Sequence, residues 1–269
     1  MLGILSTIFR WTNGKLYFQK YYEHLLRLSI IGMNHYNLNF KKNGEKWVLL
    51  FLKQKIKINC ENKIFFDVGA NVGHYTQLLS EIFDDKTTNI YSFEPSAITY
   101  SELAKRFIMY NNVRIYKVGF SDISEEISFF SNDPNTTSSL ASVYNRQLEH
   151  IGISMQRSEK IKVVTIDNFC KENNITNIDF LKIDVEGHEL KVLQGAASMI
   201  KEKRINAIQF EFGACAIDSR TYFKDFYRML SSNYSLFRIV KNGIYPIEKY
   251  QETLEIFGHT NFLALLKGP

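Results

Sequence analysis

The stretch Lys63-Ile64-Phe65-Phe66-Asp67-Val68-Gly69-Ala70-Asn71-Val72-Gly73 decides the fold. Its short apolar run, stopped by glycines, reads as a buried strand that ends in a tight loop. The apolar residues that follow, Val72, Tyr75, Leu78, Leu79 and Ile82, recur at helical spacing and predict a helix packed back on that strand. Glycine suits the loop for two reasons: it reaches positive φ without a Cβ penalty, and its bare backbone lets a ligand come close. Asp67 stands at the strand end as a hydrogen-bond acceptor beside such a ligand. A glycine pair alone fits an ordinary strand-to-helix connection capped by Asn71 about as well.

Glu94 separates the two readings. It ends the next strand-like run, Asn89-Ile90-Tyr91-Ser92-Phe93-Glu94, 21 residues after Gly73. In Rossmann-like nucleotide sites an acidic residue about 20 residues beyond the glycine turn grips a ribose diol. A cofactor containing a nucleoside is therefore implied. The fingerprint G-x-G-x-x-G is absent, because Gly69 and Gly73 enclose Ala70, Asn71 and Val72. NAD is the weaker candidate on that ground, and a nicotinamide oxidoreductase stays as an alternative.

Taken together, the glycine loop from Asp67 to Gly73, the pair Glu94-Pro95 and the run Asp179-Phe180-Leu181-Lys182-Ile183-Asp184-Val185-Glu186-Gly187-His188-Glu189 resemble the FkbM-type family of class I S-adenosylmethionine-dependent methyltransferases. The resemblance covers about Lys63 to Phe212 and extends toward Leu266. Asn71 departs from the wide class, which has glycine there, and not from the narrower family. The resemblance implies an α/β, Rossmann-like fold: a mostly parallel seven-stranded sheet with its last strand antiparallel, and helices on both faces. It makes Asp67, Gly69, Asn71, Gly73 and Glu94 the cofactor-binding residues. In the loop Gly119-Phe120-Ser121-Asp122, it gives Phe120 as an apolar face for the adenine ring and Asp122 as an acceptor for its amino group. Asp122 fits a turn cap equally well.

The resemblance places the methyl acceptor around Ile178 to Glu189. In open α/β sheets ligands gather outside the carboxyl ends of the strands, so Asp184 should lie across from Gly69. Asp184, Glu186, His188 and Glu189 then crowd one strand end, where neighbouring charges shift pKa values. Asp184 is the first choice for the base that takes the acceptor proton, Glu186 the second and His188 the third. A plain reading of His188 is an exposed residue in the first turn of a helix over 189 to 203. Lys182 lies on the same buried strand and needs a carboxylate partner. Ser138 and Ser139, in the hydroxyl-rich segment Thr136 to Leu140, are expected to orient substrate as the family segment they resemble does, although a polar loop accounts for them too. Asp167 either caps a short helix over 168 to 173 or faces the site, and Glu211 ends the fifth strand nearby. A divalent ion held by Asp184 with Asp167 or Glu211 would polarise a hydroxyl, but no ligand spacing demands one. Asn242-Gly243 is a hairpin signal.

The 269 residues are 45% hydrophobic and 23% charged, which suits one large soluble α/β domain over 61 to 269. Residues 1 to 60 form a separate expectation, a helical extension or cap. They hold ten Lys or Arg against Glu23 and Glu45, a net of +8, while the remainder carries −3 within the overall +5. Trp11, Tyr17, Phe18, Tyr21, Tyr22, Phe40 and Trp47 interleave with those basic residues. Such a face can meet anionic lipid, nucleic acid or a phosphorylated substrate, or can simply join the core with its lysines solvated. Cys60, Cys170 and Cys215 are odd in number and widely spaced, so neither a disulfide framework nor a zinc knuckle is expected. Met1 to Phe9 lacks a basic start and a usual cleavage site. A reducing cytoplasm fits, with peripheral contact at the inner membrane face as one option for the basic segment.

By the resemblance, the expected activity is O-methyl transfer to a hydroxyl of a saccharide, such as a surface glycan, lipid-linked glycan or nucleotide sugar, or of a related natural product. The expected partner is a small-molecule or glycan acceptor. A nucleic-acid methyltransferase using the basic face is a further alternative, against which no recognised nucleic-acid module is visible.

Overall fold

The computed structural model describes residues 10–37, 39, 42–55, 62–85, 87–133, 137–138, 140–155 and 157–268. Ser139, Thr136, Phe40 and Cys60 lie outside the described residues. The strands are β1 Lys63–Val68, β2 Thr88–Phe93, β3 Val113–Tyr116, β4 Gly119–Phe120, β5 Glu125–Ser131, β6 Arg157–Val164, β7 Ile178–Ile183, β8 Ile205–Phe212, β9 Tyr234–Val240, β10 Gly243–Ile247 and β11 Thr260–Leu266. The helices are α1 Gln19–Gly32, α2 Glu45–Lys55, α3 His74–Ile82, α4 Ala97–Phe107, α5 Ile166–Glu172, α6 Glu189–Gln194, α7 Ala197–Lys201, α8 Cys215–Ser219 and α9 Phe223–Leu230.

The main sheet runs β10-β9-β11-β8-β7-β1-β2-β3, and β4-β6-β5 form a small second sheet. From β3 to β8 all neighbours are parallel, and β11 inserts antiparallel between β8 and β9. This is the Rossmann-like methyltransferase arrangement the resemblance implies, with one correction. The sheet has eight strands and not seven, because the Asn242-Gly243 turn adds β10 as an antiparallel edge beside β9. Successive strands step outward from β1 to β3 on one side, then from β7 to β8 on the other. The switch point, where such sheets bind ligands, therefore lies between the ends of β1 and β7.

Alternation along β1 explains how one apolar run serves two cores. Phe65 joins Val48, Leu49, Leu52, Phe83 and Phe180 on one face of the sheet. Phe66 joins Phe93, Phe120 and Phe169 on the other. A strand covered on both faces has no polar side to alternate with, hence the continuous run. Val48, Leu49 and Leu52 belong to α2, so the later part of the basic N-terminal segment is packed into the core. α1, by contrast, buries no residue.

The helix expected over 189 to 203 is broken into α6 and α7 at Gly195. There a Cβ would lie 2.0 Å from the Ser121 carbonyl oxygen, so the backbone segments meet with no room for a side chain. Among the described residues no helix is long and apolar enough to cross a membrane.

Candidate functional site

The loop after β1 is built on positive φ at Gly69 (+78°), Asn71 (+50°) and Gly73 (+85°). The N–H groups of Gly69 and Ala70 both donate to the Phe93 carbonyl, which fastens this loop to the end of β2. Asn71 tolerates the left-handed conformation because its own side chain answers it: Oδ1 accepts from Val72 N at 2.7 Å. Its Nδ2 donates to the Ser138 carbonyl at 3.3 Å, tying Ser138 to the loop. The glycines are needed for protein contacts. A Cβ on Gly69 would sit 1.8 Å from the Asp184 carbonyl oxygen, and one on Gly73 2.4 Å from the Phe107 ring.

Glu94 is buried at the tip of β2, its carboxylate fixed by Asn71 N (3.1 Å) and Ser96 N (3.0 Å). A carboxylate has about four acceptor sites, so two remain for a diol. Burial pushes its pKa up to about 7, against the pull of those two N–H groups. This aimed, backbone-held carboxylate beside a left-handed loop fits the ribose of a nucleoside cofactor.

Asp67 departs from expectation. Its side chain is wholly buried, accepting from Thr76 Oγ1 at 2.7 Å and lying 3.3 Å from Lys182 Nζ, so it does not face the crevice. Lys182 finds the carboxylate partner it needs twice over, with Asp184 Oδ2 also at 3.3 Å, and its ammonium lies 4.7 Å from the centre of the Tyr75 ring. Burial opposes its charge, but Asp67, Asp184 and Glu45 together hold its pKa above the usual lysine value. Tyr75 donates to Gln209 Oε1 (3.0 Å), and Gln209 donates to Glu45 Oε2 (2.7 Å). Glu45 comes from α2, and burial raises its pKa. No local pattern in the sequence marks Glu45, Tyr75 or Gln209, because their partners are up to 164 positions away.

At the ends of β7 and β8, Asp184, Glu186 and Glu211 bring carboxylate oxygens within 4.8 Å of one another, a set that could hold a metal ion. The chain also supplies a cationic or imidazole partner to each. Asp184 has Lys182, Glu186 has Arg146 at 2.9 Å, and Glu211 has His259, whose Nδ1 meets its Oε1. Asp184 is the most open of the three, its side chain 37% exposed. Glu186 sits at φ +54°, pinned by Ser142 Oγ donating to its carbonyl (2.7 Å) and by Cys215 Sγ donating to its carboxylate. Burial and the neighbouring Asp184 push its pKa up to about 7.

His188 is buried, not exposed, and burial lowers its pKa to about 4. Its neutral ring joins a chain: Tyr144 OH lies 3.1 Å from Nδ1, and Ser121 Oγ lies 2.9 Å from Nε2. Ser121 Oγ donates to Asp122 Oδ1, so it accepts from Nε2–H, and Tyr144 donates to Nδ1. Lys191 at 2.6 Å holds the other oxygen of Asp122; burial works against its ionisation, but this ion pair and the Ser121 bond keep its pKa below the usual carboxylate range. Phe120 is buried against Phe66, Phe93 and Phe169, which corrects the expectation of an adenine platform. Asp167 is corrected too. It neither faces the site nor caps its own helix, where Thr165 does so, but caps α7 through Ser198 N and Met199 N. Ser138 Oγ donates to Asn132 Oδ1. Tyr144, Arg146, Lys182 and Ser142 went unassigned as site residues by sequence reasoning, and of these only Lys182 carried a signal, its charge on a buried strand.

The chain is similar in sequence to known methyltransferases. A sequence model of the Methyltransferase FkbM domain matches residues 67–236. Hexuronic acid methyltransferase AglP of Haloferax volcanii is 26% identical over 171 residues, 63% of this chain and 64% of that protein. Methyltransferase 1 of Beauveria bassiana is 25% identical over 148 residues, 50% of this chain and 59% of that protein. The chain thus spans under two thirds of the length of these curated relatives. Among solved structures, methyltransferase FkbM from Methylobacillus flagellatus KT aligns at TM-score 0.47 and 16% identity, covering 81% of this chain and 47% of that one. Precorrin-6y C5,15-methyltransferase from Geobacter metallireducens GS-15 aligns at 0.41 and 9%, covering 82% and 86%.

Proposed function

We propose, since this chain belongs to the FkbM methyltransferase family, that it transfers a methyl group from S-adenosylmethionine to a hydroxyl of a saccharide. The observation that carries the reading is the meeting of two loops at the switch point, where Gly69 packs against the Asp184 carbonyl. A donor held at the first loop and an acceptor at the second would be neighbours. Glu94 would take the ribose hydroxyls, the loop from Gly69 through Asn71 to Gly73 would line the donor, and Asp122 would accept from the adenine amino group. When bound, S-adenosylmethionine supplies an electrophilic methyl group on a sulfonium.

Alignment of acceptor oxygen with that methyl is the larger part of the task, worth roughly 7 to 11 kcal/mol. Asp184 then accepts the hydroxyl proton, a contribution of about 10²- to 10⁴-fold. Its exposed carboxylate is the reachable one, and Lys182 fixes its direction. Glu186 stands second as base, near neutral pKa but engaged by Arg146 and Cys215. His188, neutral and bonded through both nitrogens, orients Tyr144 at the edge of this site.

The saccharide class is supported by the relative named for hexuronic acid. The test offers S-adenosylmethionine with nucleotide sugars, purified glycans and hexuronic acid conjugates, and follows methylated product by mass spectrometry. A methyl ether that resists mild alkali is expected. An alkali-labile methyl ester would move the transfer from hydroxyl to carboxylate, and product formed only on nucleic acid would refute the saccharide reading.

A further inference from the structure

α1 is a 14-residue helix with no buried residue. An isolated helix of that length is marginal in water, and exposed apolar side chains gathered on one element mark a contact surface. Tyr21 (51% exposed), Leu28 (66%) and Ile31 (60%) follow one another at spacings of seven and three, on one side of the helix. Tyr17, 94% exposed in the turn just before, continues the stripe, and Trp11 is 65% exposed upstream. Phe18, Tyr22 and Leu25 are half-buried and flank this stripe, while Leu26, 60% exposed, lies on the opposite side. Lys20 and Arg27, also seven apart and exposed, border the outward stripe.

The base of this helix is fixed to the working end of the sheet. Asn34 donates to the carbonyls of Asn43 (2.6 Å) and Ile239 (3.1 Å), and His35 Nδ1 lies 2.8 Å from the Gly258 carbonyl. Tyr36 N donates to the carbonyl of His259, the residue whose ring meets Glu211. The helix is therefore anchored beside the acceptor carboxylates.

We infer that α1 docks on an anionic lipid surface, lying in its headgroup layer with Tyr17, Tyr21, Leu28 and Ile31 inserted and Lys20 and Arg27 on the phosphates. Charge complementarity carries the choice of occupant: residues 10 to 32 hold Arg10, Lys15, Lys20 and Arg27 against Glu23, a net of +3, while the chain after residue 60 is −3. An aromatic and aliphatic stripe beside lysine and arginine is the composition of interfacial helices, with tyrosine at the headgroup level. Single-stranded nucleic acid would use the aromatics and the charges, but Leu28 and Ile31 have nothing to stack on there. Docked this way, the strand ends carrying Asp184 and Glu211 are held close to the membrane, where an acceptor on a lipid carrier would be presented.

The test is co-sedimentation of the full chain with vesicles of phosphatidylcholine alone or mixed with phosphatidylglycerol, without donor or acceptor. Its failure would leave methyl transfer untouched. Binding to the anionic vesicles only is expected, weakening as salt is raised. Lys20→Gln with Arg27→Gln should lower the partition coefficient about 25-fold, roughly fivefold per basic side chain. Leu28→Ser with Ile31→Ser should weaken it as well, and neither pair should alter the thermal midpoint, since all four side chains are exposed. Absence of binding, or equal binding to both vesicle types, would overturn the inference. So would a concentration-dependent dimer that Leu28→Ser with Ile31→Ser abolishes while vesicles are ignored, which would assign the stripe to a second copy. Retention by a single-stranded RNA oligomer and not by vesicles would overturn it too.

Discussion

Replacing Lys182 by Met tests whether the buried ion network holds the two functional loops together. The ammonium is 3.3 Å from both Asp67 and Asp184, on a strand with no exposed residue. Met matches the aliphatic stem in shape and removes the charge, which leaves Asp67, wholly enclosed, with Thr76 as its remaining donor. Breaking a buried pair from one side costs about 3 to 5 kcal/mol, because the stranded charge stays desolvated. Unfolding entropy of about 2.1 cal/mol/K per residue gives about 0.56 kcal/mol/K for this chain. The thermal midpoint should therefore fall by about 5 to 9 °C. The decisive comparison is Lys182→Met with Asp67→Asn. If the cost comes from stranding a charge, removing both charges should restore about 2 kcal/mol or more relative to the sum of the single variants. Chemical denaturation of the four proteins reads this coupling directly. Additivity to within about 0.5 kcal/mol would refute the network as a source of stability.

Glu94→Ala should weaken S-adenosylmethionine binding at least about 100-fold, the loss of hydrogen bonds from two hydroxyls to a charged acceptor; unchanged affinity by calorimetry would remove Glu94 from the donor site. Gly69→Ala should destabilise the fold itself and not only donor binding, because its Cβ would overlap the Asp184 carbonyl, and a variant with normal melting and no donor affinity would show that reasoning wrong. Asp184→Asn should bind donor normally and lose about 10²- to 10⁴-fold in kcat, recovering in part at high pH. If the three carboxylates work through a divalent ion instead, a chelator should inactivate the wild type and added Mg²⁺ restore it. For Glu189, burial raises the pKa to about 7 against N–H bonds from Val185 and Gly187. The folded chain then takes up this proton before the unfolded chain does, so wild type should gain stability relative to Glu189→Gln as pH falls from about 7 toward 4.5. A difference that is flat or shrinks over that window would contradict the assignment.

Local chemistry made the first loop and the two strand ends legible: an apolar run stopped by glycine, an acidic residue at the right distance, and a lysine where no lysine should stand alone. The Asn242-Gly243 turn signalled the hairpin that makes β10, but Pro246 interrupts the apolar pattern after it and hid the strand itself; as an edge strand it needs fewer hydrogen bonds than an inner one. Phe120 was assigned to a ligand because its loop is the right one, but the packing of Phe66, Phe93 and Phe169 behind it decides which way the ring turns. Asp167 was pulled away by a helix start 30 positions later, at Ala197. The chain from Tyr144 through His188 and Ser121 to Asp122 joins three distant segments, and no spacing in the sequence records it.

Gly69 and the Asp184 carbonyl pack with no room for a methyl group between them, so the loops after β1 and β7, proposed for donor and acceptor, have no slack. A donor that shifts Gly69 must shift the peptide of Asp184, and an acceptor pressing on Asp184 must press on the donor. Thermodynamic reciprocity then fixes a ratio: whatever factor the donor changes acceptor affinity by, the acceptor changes donor affinity by the same factor. Whatever coupling this chain has between donor and acceptor would run through the close contact that a missing methyl group at position 69 allows.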